Sequence, residues 1–145
     1  MDYFTSVKSN AVLNNTVLLI TRIFVGFAML SHGFPKLQML LDGGEIQFYS
    51  FIGLGAKMSL ALAVFAEFMC SIFLILGLFT RWAAFFLAFT MCVAVFGVHS
   101  ADGFDKMETG ALYLSLYLIF LILGPGKFSV DGMISYRRDV SRSAW

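Results

Sequence analysis

The sequence predicts an all-α integral membrane protein in which four transmembrane helices form a bundle. Hydrophobic residues make up 59% of the 145 residues and charged residues only 13%, whereas soluble domains contain about 25% charged residues. So few charges cannot cover a water-facing surface, and so many apolar residues exclude a disordered chain. The apolar residues are grouped into four long stretches, and the length suits a single membrane domain over residues 1–145.

Each stretch is close to the length that a membrane-spanning helix needs. That length is about 20 mostly apolar residues, with a range of about 17 to 25. In lipid each backbone polar group must be satisfied within its own element, so we interpret the stretches as helices. Arg22 and Glu67 are the charged residues well inside the first two stretches. The predicted spans cover about residues 16–32, 58–80, 82–99 and 108–124, and a cytoplasmic tail covers residues 127–145.

The first stretch could instead be a cleaved signal peptide, with Lys8 in its basic region. Two features of the sequence argue against this alternative. Arg22 interrupts the apolar core, and no convincing A-x-A-like cleavage site follows it. We therefore expect the first stretch to stay in the chain as a span.

The distribution of Lys and Arg between the loops predicts the orientation, because loops rich in these residues stay in the cytoplasm. An even number of spans puts both termini, and the loop between the second and third spans, on one side. That side carries Lys8, Arg81, Lys127, Arg137, Arg138 and Arg142, and the opposite side carries Lys36, Lys57 and Lys106. Both termini are therefore predicted to be cytoplasmic.

The first outer loop, residues 33–57, is too long to be a plain connector. It begins with Pro35 and an apolar run in which Leu37, Leu40 and Leu41 share one helical face. Such a face suits a short helix that lies in the membrane interface. Aromatic residues follow further along the loop and suit the depth of the lipid headgroups. We expect an interfacial helix and then a segment that folds onto the bundle.

Arg22 and Glu67 would each cost roughly 2.5–3.5 kcal/mol at mid-membrane. Arg22 lies ten residues before His32, the predicted outer end of the first span. Glu67 lies nine residues after Met58, the outer end of the second. At about 1.5 Å per residue the two would lie at nearly the same height, which predicts an ion pair between adjacent helices. One interpretation is that the pair has a structural role alone and fixes the register of the two helices. The other is that it binds the polar head of a ligand or relays protons.

His32, Lys36 and His99 are predicted to gather at the outer membrane interface. The two histidines could simply cap helix ends, or they could form a polar mouth that contacts a quinone or a similar headgroup. Their interfacial positions argue against a bis-histidine haem, and two histidines are few for a structural metal site. Cys70 and Cys92 form no CxxC motif, so a thioredoxin-like dithiol is unsupported. We therefore predict no metal site.

An ordered set of short motifs runs along residues 15–131. The set comprises Arg22 with Gly26, then His32-Gly33-Phe34-Pro35-Lys36, Ala66-Glu67, Leu76-Gly77-Leu78-Phe79-Thr80-Arg81, His99 and Gly124-Pro125-Gly126-Lys127-Phe128-Ser129-Val130-Asp131. Because it carries these motifs in this order, the chain resembles the DoxX family of small bacterial membrane proteins. The resemblance implies a four-helix, multi-pass protein of the bacterial inner (cytoplasmic) membrane.

The resemblance also implies a link to quinones. The family is named after a subunit associated with a terminal quinol oxidase and with thiosulfate–quinone oxidoreduction, and other members are linked to oxidative-stress or metal-related systems. Our first hypothesis is an oxidoreductase-associated subunit that binds a quinone between its helices. No redox centre is evident in the sequence, so electrons would come from a partner redox protein or a bound cofactor. The candidate ligand-binding residues are Arg22, His32, Lys36, Glu67 and His99.

Two alternatives stay open. The chain could be a non-catalytic scaffold or adaptor that recruits a partner protein through its outer loops and basic tail. It could also be a small transporter, since charges inside a membrane often mark substrate paths. Four helices make a thin wall for a pore, so a transporter would have to form a homo-oligomer. The net charge of +1 argues against nucleic acid. The sequence leaves open whether any reaction occurs and whether Cys70 and Cys92 are redox active.

Overall fold

A computed structural model of the chain describes residues 10–100 and 103–142. This part of the chain is helical and contains no strand. Four of its helices are long and apolar enough to cross a membrane, which confirms the predicted fold class. These helices are α1 (Ala11–Asp42), α2 (Ala56–Leu76), α3 (Thr80–Val98) and α4 (Phe104–Leu123), and a further helix, α5 (Val130–Arg142), follows them.

Helix α1 is much longer than the predicted first span. It starts after Asn10, whose side chain accepts hydrogen bonds from two backbone N–H groups of the first turn, and it ends at Gly43 in the left-handed conformation. Pro35 lies inside the helix without ending it. The predicted separate interfacial helix is therefore wrong, because those residues form the last turns of α1. A helix of 32 residues is about 48 Å long and extends beyond a hydrocarbon core of about 30 Å.

The segment between α1 and α2 folds back onto the bundle, as the sequence predicts. Its backbone N–H at Phe51 donates a hydrogen bond of 2.9 Å to the hydroxyl of Ser59 in α2. The Phe51 ring also packs edge-on against Phe89 of α3, with 5.9 Å between the ring centroids. These contacts hold the segment across two helices of the bundle.

Small and large apolar side chains interlock in the core, and large apolar side chains cover the outside. The core contains Val25, Met29, Cys70, Leu74, Ala83, Ala84, Leu87, Ala88, Met91, Tyr117 and Phe120. Alanines on α3 allow its neighbours to approach closely, as is common between helices in membranes. Exposed side chains such as Phe24, Phe27, Trp82, Phe96 and Ile122 surround this core. A surface of this kind suits lipid rather than water.

Arg22 is buried at the end of the bundle where α4 ends, with only 1% of its surface exposed. Its guanidinium donates hydrogen bonds to two backbone carbonyls of the chain after α4, at 2.7 Å to Pro125 and 2.9 Å to Phe128. Gly77, which ends α2 at a φ of +70°, makes room for it, because a Cβ there would lie 2.6 Å from the guanidinium Nη1. Arg22 thus ties the segment after α4 to α1.

Asp131 supplies the cap that the start of α3 requires. Its carboxylate accepts hydrogen bonds from the backbone N–H groups of Phe79 and Thr80, at 2.9 and 2.8 Å, and from the Thr80 hydroxyl at 3.0 Å. A carboxylate is favoured at a helix N-terminus by the unpaired N–H groups and by the helix dipole. The Asp131 N–H also donates to the carbonyl of Gly77 at 2.9 Å. The chain after α4 therefore closes this end of the bundle.

The predicted tail is helical over α5, which carries the exposed apolar residues Met133, Ile134 and Tyr136. The cytoplasmic position of both termini stays a prediction. Lys8, which contributes to the charge distribution behind it, lies outside the described residues.

We predict that Asp131→Ala lowers the free energy of unfolding by about 1–2 kcal/mol, because it removes the cap of α3. The measurement is unfolding of the detergent-solubilised protein in a denaturing-micelle titration followed by circular dichroism. Asp42→Ala is the control, since it removes an exposed carboxylate at the opposite end of the bundle. Equal stability of the two variants would contradict the capping role.

Candidate functional site

A pocket of about 180 Å³ lies between the C-terminal ends of α1 and α3, the start of α4 and the middle of α2. It is lined by Met29, His32, Lys36, Glu67, Met91, Ala94, Val95, His99, Lys106, Thr109, Gly110 and Tyr113. Four of the five predicted ligand-binding residues are thus brought together at one pocket, and Arg22 is the exception. Their role in binding a ligand stays a prediction.

An ion pair between Lys36 and Glu67 forms the polar centre of this pocket. The Lys36 ammonium donates to both oxygens of the Glu67 carboxylate, at 2.5 and 2.6 Å. The Glu67 side chain is 4% exposed and that of Lys36 is 30% exposed. A carboxylate this deep in an apolar bundle is tolerated only when it is paired. The Lys36 ammonium also lies 5.9 Å from the ring centroid of Phe48, at cation–π distance.

The predicted Arg22–Glu67 ion pair is wrong. Glu67 pairs with Lys36, while Arg22 binds backbone carbonyls at the other end of the bundle. The prediction failed because it placed the outer end of the first span at His32, whereas α1 continues to Asp42. The residue of α1 that lies level with Glu67 is Gly33. Arg22 comes eleven residues earlier in the same helix, an offset of about 16 Å.

Gly33 allows α1 and α2 to approach closely at the pocket. A Cβ at this position would lie 2.7 Å from the backbone carbon of Glu67 and 2.9 Å from the backbone nitrogen of Phe68. A glycine is therefore required where the two backbones touch. Lys36 follows Gly33 by almost one helical turn, so the close approach brings its ammonium within reach of the carboxylate.

Two π-helical segments border the pocket, one in α2 and one in α3. Glu67 lies within the first, Phe65–Cys70, and two lining residues lie within the second, Ala94–Val98. In the second, the N–H of His99 donates to the carbonyl of Ala94 at 3.0 Å, across five residues. In the first, the Ser71 hydroxyl donates to the Glu67 carbonyl at 2.7 Å. Such π segments are frequent at functional sites, and no feature of the sequence predicted either of them.

The two histidines take up different positions at the pocket. His32 is exposed, and its ring meets the edge of Tyr113 with 6.0 Å between centroids and 86° between planes. His99 is half-buried and directly follows α3. Tyr113 is a lining residue that was not among the predicted ligand-binding residues. Its position on the same helical face as Gly110 and Tyr117 could have indicated it.

Neither cysteine lines the pocket. Cys70 is buried in the core and Cys92 is half-buried, and both are free thiols. Within residues 10–100 and 103–142, no group of three His, Cys, Asp or Glu side chains is placed to hold a metal ion. The polar groups that line the pocket are the Lys36–Glu67 ion pair, the two imidazole rings, the Tyr113 phenol, the Lys106 ammonium and the Thr109 hydroxyl, and apolar side chains complete its walls.

The fold and the pocket define a multi-pass membrane protein of four spanning helices with a polar pocket between them. The DoxX family model matches residues 17–100, more than half of the chain. The chain therefore belongs to the DoxX family, and the resemblance inferred from the sequence is confirmed.

Three proteins are similar to this chain over most of their own length. The inner membrane protein YphA of Escherichia coli K12 is 32% identical over 125 residues, which cover 79% of this chain and 88% of the relative. Two uncharacterized proteins of Haemophilus influenzae Rd are 33% identical over 120 residues and 27% identical over 134 residues. Those matches cover 76% and 88% of this chain and 84% and 89% of the relatives. No solved structure matches the chain.

We predict that Gly33→Ala lowers the free energy of unfolding by about 1–3 kcal/mol, the usual cost of inserting atoms into a packed contact. The added methyl group would meet backbone rather than a movable side chain. Gly44→Ala is the control, because nothing lies within 4 Å of a Cβ there. Denaturing-micelle titrations of both variants give the comparison, and a Gly33→Ala variant as stable as the wild type would contradict the close approach.

A double-mutant cycle tests the ion pair. Lys36→Met leaves the Glu67 carboxylate buried without its partner and should lower the free energy of unfolding by about 2–4 kcal/mol. Lys36→Met with Glu67→Gln removes both charges and should recover most of this loss. Lys57→Met, at an exposed lysine of α2, is the control for loss of a positive charge. Additive effects of the two single substitutions would contradict direct pairing.

Proposed function

We propose that this protein is an oxidoreductase-associated subunit located in the bacterial inner membrane. In this proposal it binds the ring of a quinone in the pocket between its helices and works with a redox partner. The observation that carries the proposal is the Lys36–Glu67 ion pair at the centre of a pocket that has both polar and apolar walls. The name of the Escherichia coli relative, an inner membrane protein, supports the choice of membrane.

The size of the pocket supports a ligand with a single ring. An apolar cavity of about 150 Å³ accommodates benzene, and this pocket measures about 180 Å³. Met29, Met91 and Val95 supply apolar walls. Methionine side chains adapt to irregular shapes and contact aromatic rings favourably. A lipophilic ring that reaches the pocket from the bilayer would find suitable surroundings there.

The polar groups of the pocket suit an acceptor oxygen on such a ring. An ammonium group has three N–H donors, and the two hydrogen bonds to Glu67 engage two of them. The third donor can bind a carbonyl oxygen of a quinone, while Glu67 holds the ammonium in place. His32 and His99 lie at the same pocket and add donors or acceptors according to their tautomer.

A quinone-binding subunit must exchange electrons with another centre. The sequence contains no evident redox centre, so in this proposal the electrons pass to or from a partner protein or a cofactor that the partner carries. The role of this chain's residues is to bind and orient the ring and to hold the charge beside its oxygen.

We predict that protein purified from its own membrane retains quinone, and that the neutral double variant Lys36→Met with Glu67→Gln retains at least about tenfold less. This change removes the ammonium donor at a cost of about 1.4 kcal/mol or more in binding. Native mass spectrometry and solvent extraction with chromatography measure the quinone per protein. The double variant is chosen because removing both charges together should keep the fold.

The matched control is Lys57→Met with Glu45→Gln, which removes one exposed positive and one exposed negative charge outside the pocket. It should retain as much quinone as the wild type. Wild-type protein without quinone, together with no binding of added quinone, would contradict the proposed function and favour a structural role for the ion pair.

A further inference from the structure

Helix α5 carries large apolar side chains that do not pack on the bundle. Met133 is 58% exposed, Ile134 is 41% exposed and Tyr136 is 72% exposed. Three such groups close together on one short helix form an apolar surface that water solvates poorly. This surface therefore requires an apolar surrounding outside the bundle.

Two arginines lie on the same side of α5 as these apolar groups. Arg137 follows Met133 by four residues and Arg138 follows Ile134 by four, and both arginines are exposed. Residues four apart lie one above the other on a helix. An arginine can lay its aliphatic stem along apolar surface while its guanidinium reaches a charged layer above. Apolar and basic groups arranged in this way are typical of a helix in the membrane interface.

The depth at which α5 begins is fixed by α3. Helix α3 has 19 residues and is about 28 Å long, close to the thickness of the hydrocarbon core. Its first residue, Thr80, therefore lies at one edge of that core, and the exposed Trp82 two residues later is of the type enriched there. Asp131, the second residue of α5, binds the Thr80 N–H and hydroxyl at 2.8 and 3.0 Å. Helix α5 thus starts at the edge of the hydrocarbon core.

The first turn of α5 is held firmly at this place. The Gly132 N–H donates to the buried hydroxyl of Ser129 at 2.9 Å, and the Met133 N–H donates to the Ser129 carbonyl at 3.0 Å. A Cβ at Gly132 would lie 2.7 Å from the carbonyl oxygen of Lys127, so the backbones touch here. The exposed apolar residues follow directly after this turn, at the level of the lipid.

The end of the bundle that carries α5 has an excess of positive charge. Arg81 and Lys127 are exposed there, in addition to Arg137 and Arg138. Among the side chains that the structure describes, Asp131 is the only acidic one at this end, and its carboxylate caps α3. The sequence predicts this end to be cytoplasmic, where anionic lipids give the membrane a negative surface.

We propose that α5 lies in the membrane interface and binds anionic phospholipids. Met133, Ile134 and Tyr136 enter the boundary of the acyl chains, and the guanidinium groups of Arg137 and Arg138 bind lipid phosphate, for which their fork of N–H donors is suited. The ligand class is a phospholipid whose headgroup has a net negative charge, such as phosphatidylglycerol. This site lies at the opposite end of the bundle from the Lys36–Glu67 pocket and does not depend on the proposed function.

The test measures which lipid lies beside α5 in the full-length protein. Tyr136→Trp places a fluorophore on the helix, and Trp82→Phe with Trp145→Phe removes the two native tryptophans. This reporter protein is reconstituted into bilayers that mix phosphatidylglycerol and phosphatidylcholine. Either lipid carries chains brominated near the glycerol, and bromine quenches tryptophan fluorescence on contact. Comparison of the two quenching curves gives the relative affinity of the two lipids for the site.

We expect the introduced tryptophan to be quenched in bilayers of brominated phosphatidylcholine alone, because the helix lies at the acyl boundary. In mixed bilayers, phosphatidylglycerol should bind about tenfold more strongly than phosphatidylcholine, an effect of two arginines near the surface. Arg137→Gln with Arg138→Gln in the reporter protein should abolish most of this preference. High salt should weaken it, since exposed charges are screened.

Two matched variants of the reporter protein serve as controls. Arg137→Lys with Arg138→Lys keeps both charges and should keep most of the preference. Lys57→Gln removes an exposed positive charge outside α5 and should leave the preference unchanged.

Three results would overturn the inference. Absence of quenching in every brominated bilayer would place α5 in water and favour a partner protein as its occupant. Equal quenching by the two lipids would mean an apolar contact without recognition of charge. A preference for phosphatidylglycerol that survives Arg137→Gln with Arg138→Gln would assign it to other basic groups of this end.

Discussion

A charged side chain inside a lipid-embedded bundle must find its partner within the protein, and the whole arrangement of these helices depends on this constraint. Water cannot satisfy Arg22 or Glu67 at their positions in the spans, where each is almost fully buried. The two terminal nitrogens of Arg22 donate to backbone carbonyls that the chain brings back after α4, while its Nε has no hydrogen-bond partner among the described residues. Glu67 is satisfied by a lysine from the neighbouring helix. The hydrogen bonds of Arg22 therefore hold the chain at one end of the bundle, and the Glu67–Lys36 ion pair joins α1 and α2 at the other.

The fold class could be predicted from composition, because four apolar stretches of spanning length allow few other structures. The gathering of His32, Lys36 and His99 could also be predicted, since polar groups near the same membrane depth tend to meet, whereas Glu67 was predicted to lie deeper, beside Arg22. The partner of Glu67 could not be predicted, because it depends on the height of α1 relative to α2. The first span was predicted to end at His32, whereas α1 continues to Asp42. This difference shifted the predicted height of Arg22 relative to Glu67 by about three helical turns.

Other features depend on details of the backbone that single residues do not indicate. The π segments at Phe65–Cys70 and Ala94–Val98 occur inside runs whose apolar pattern is that of an ordinary helix. The cap that Asp131 provides to α3 joins residues about fifty positions apart. Its presence explains why the chain after the last span keeps a defined path. Local patterns predict elements, whereas these contacts arise only when the elements are packed.

The two ends of the bundle differ in what a ligand could do there. At the Arg22 end, the partners are backbone carbonyls and the surrounding space is filled, to the point that a Cβ at Gly77 would meet the guanidinium. A ligand would have to displace part of the fold to reach this arginine. At the Lys36 end, the partner is a side chain and a cavity adjoins the pair. A ring can enter that cavity without breaking the pair, since the ammonium has three donors and the carboxylate engages two. The same kind of buried charge therefore stabilises the fold at one end and, in the proposed function, supplies a binding group at the other.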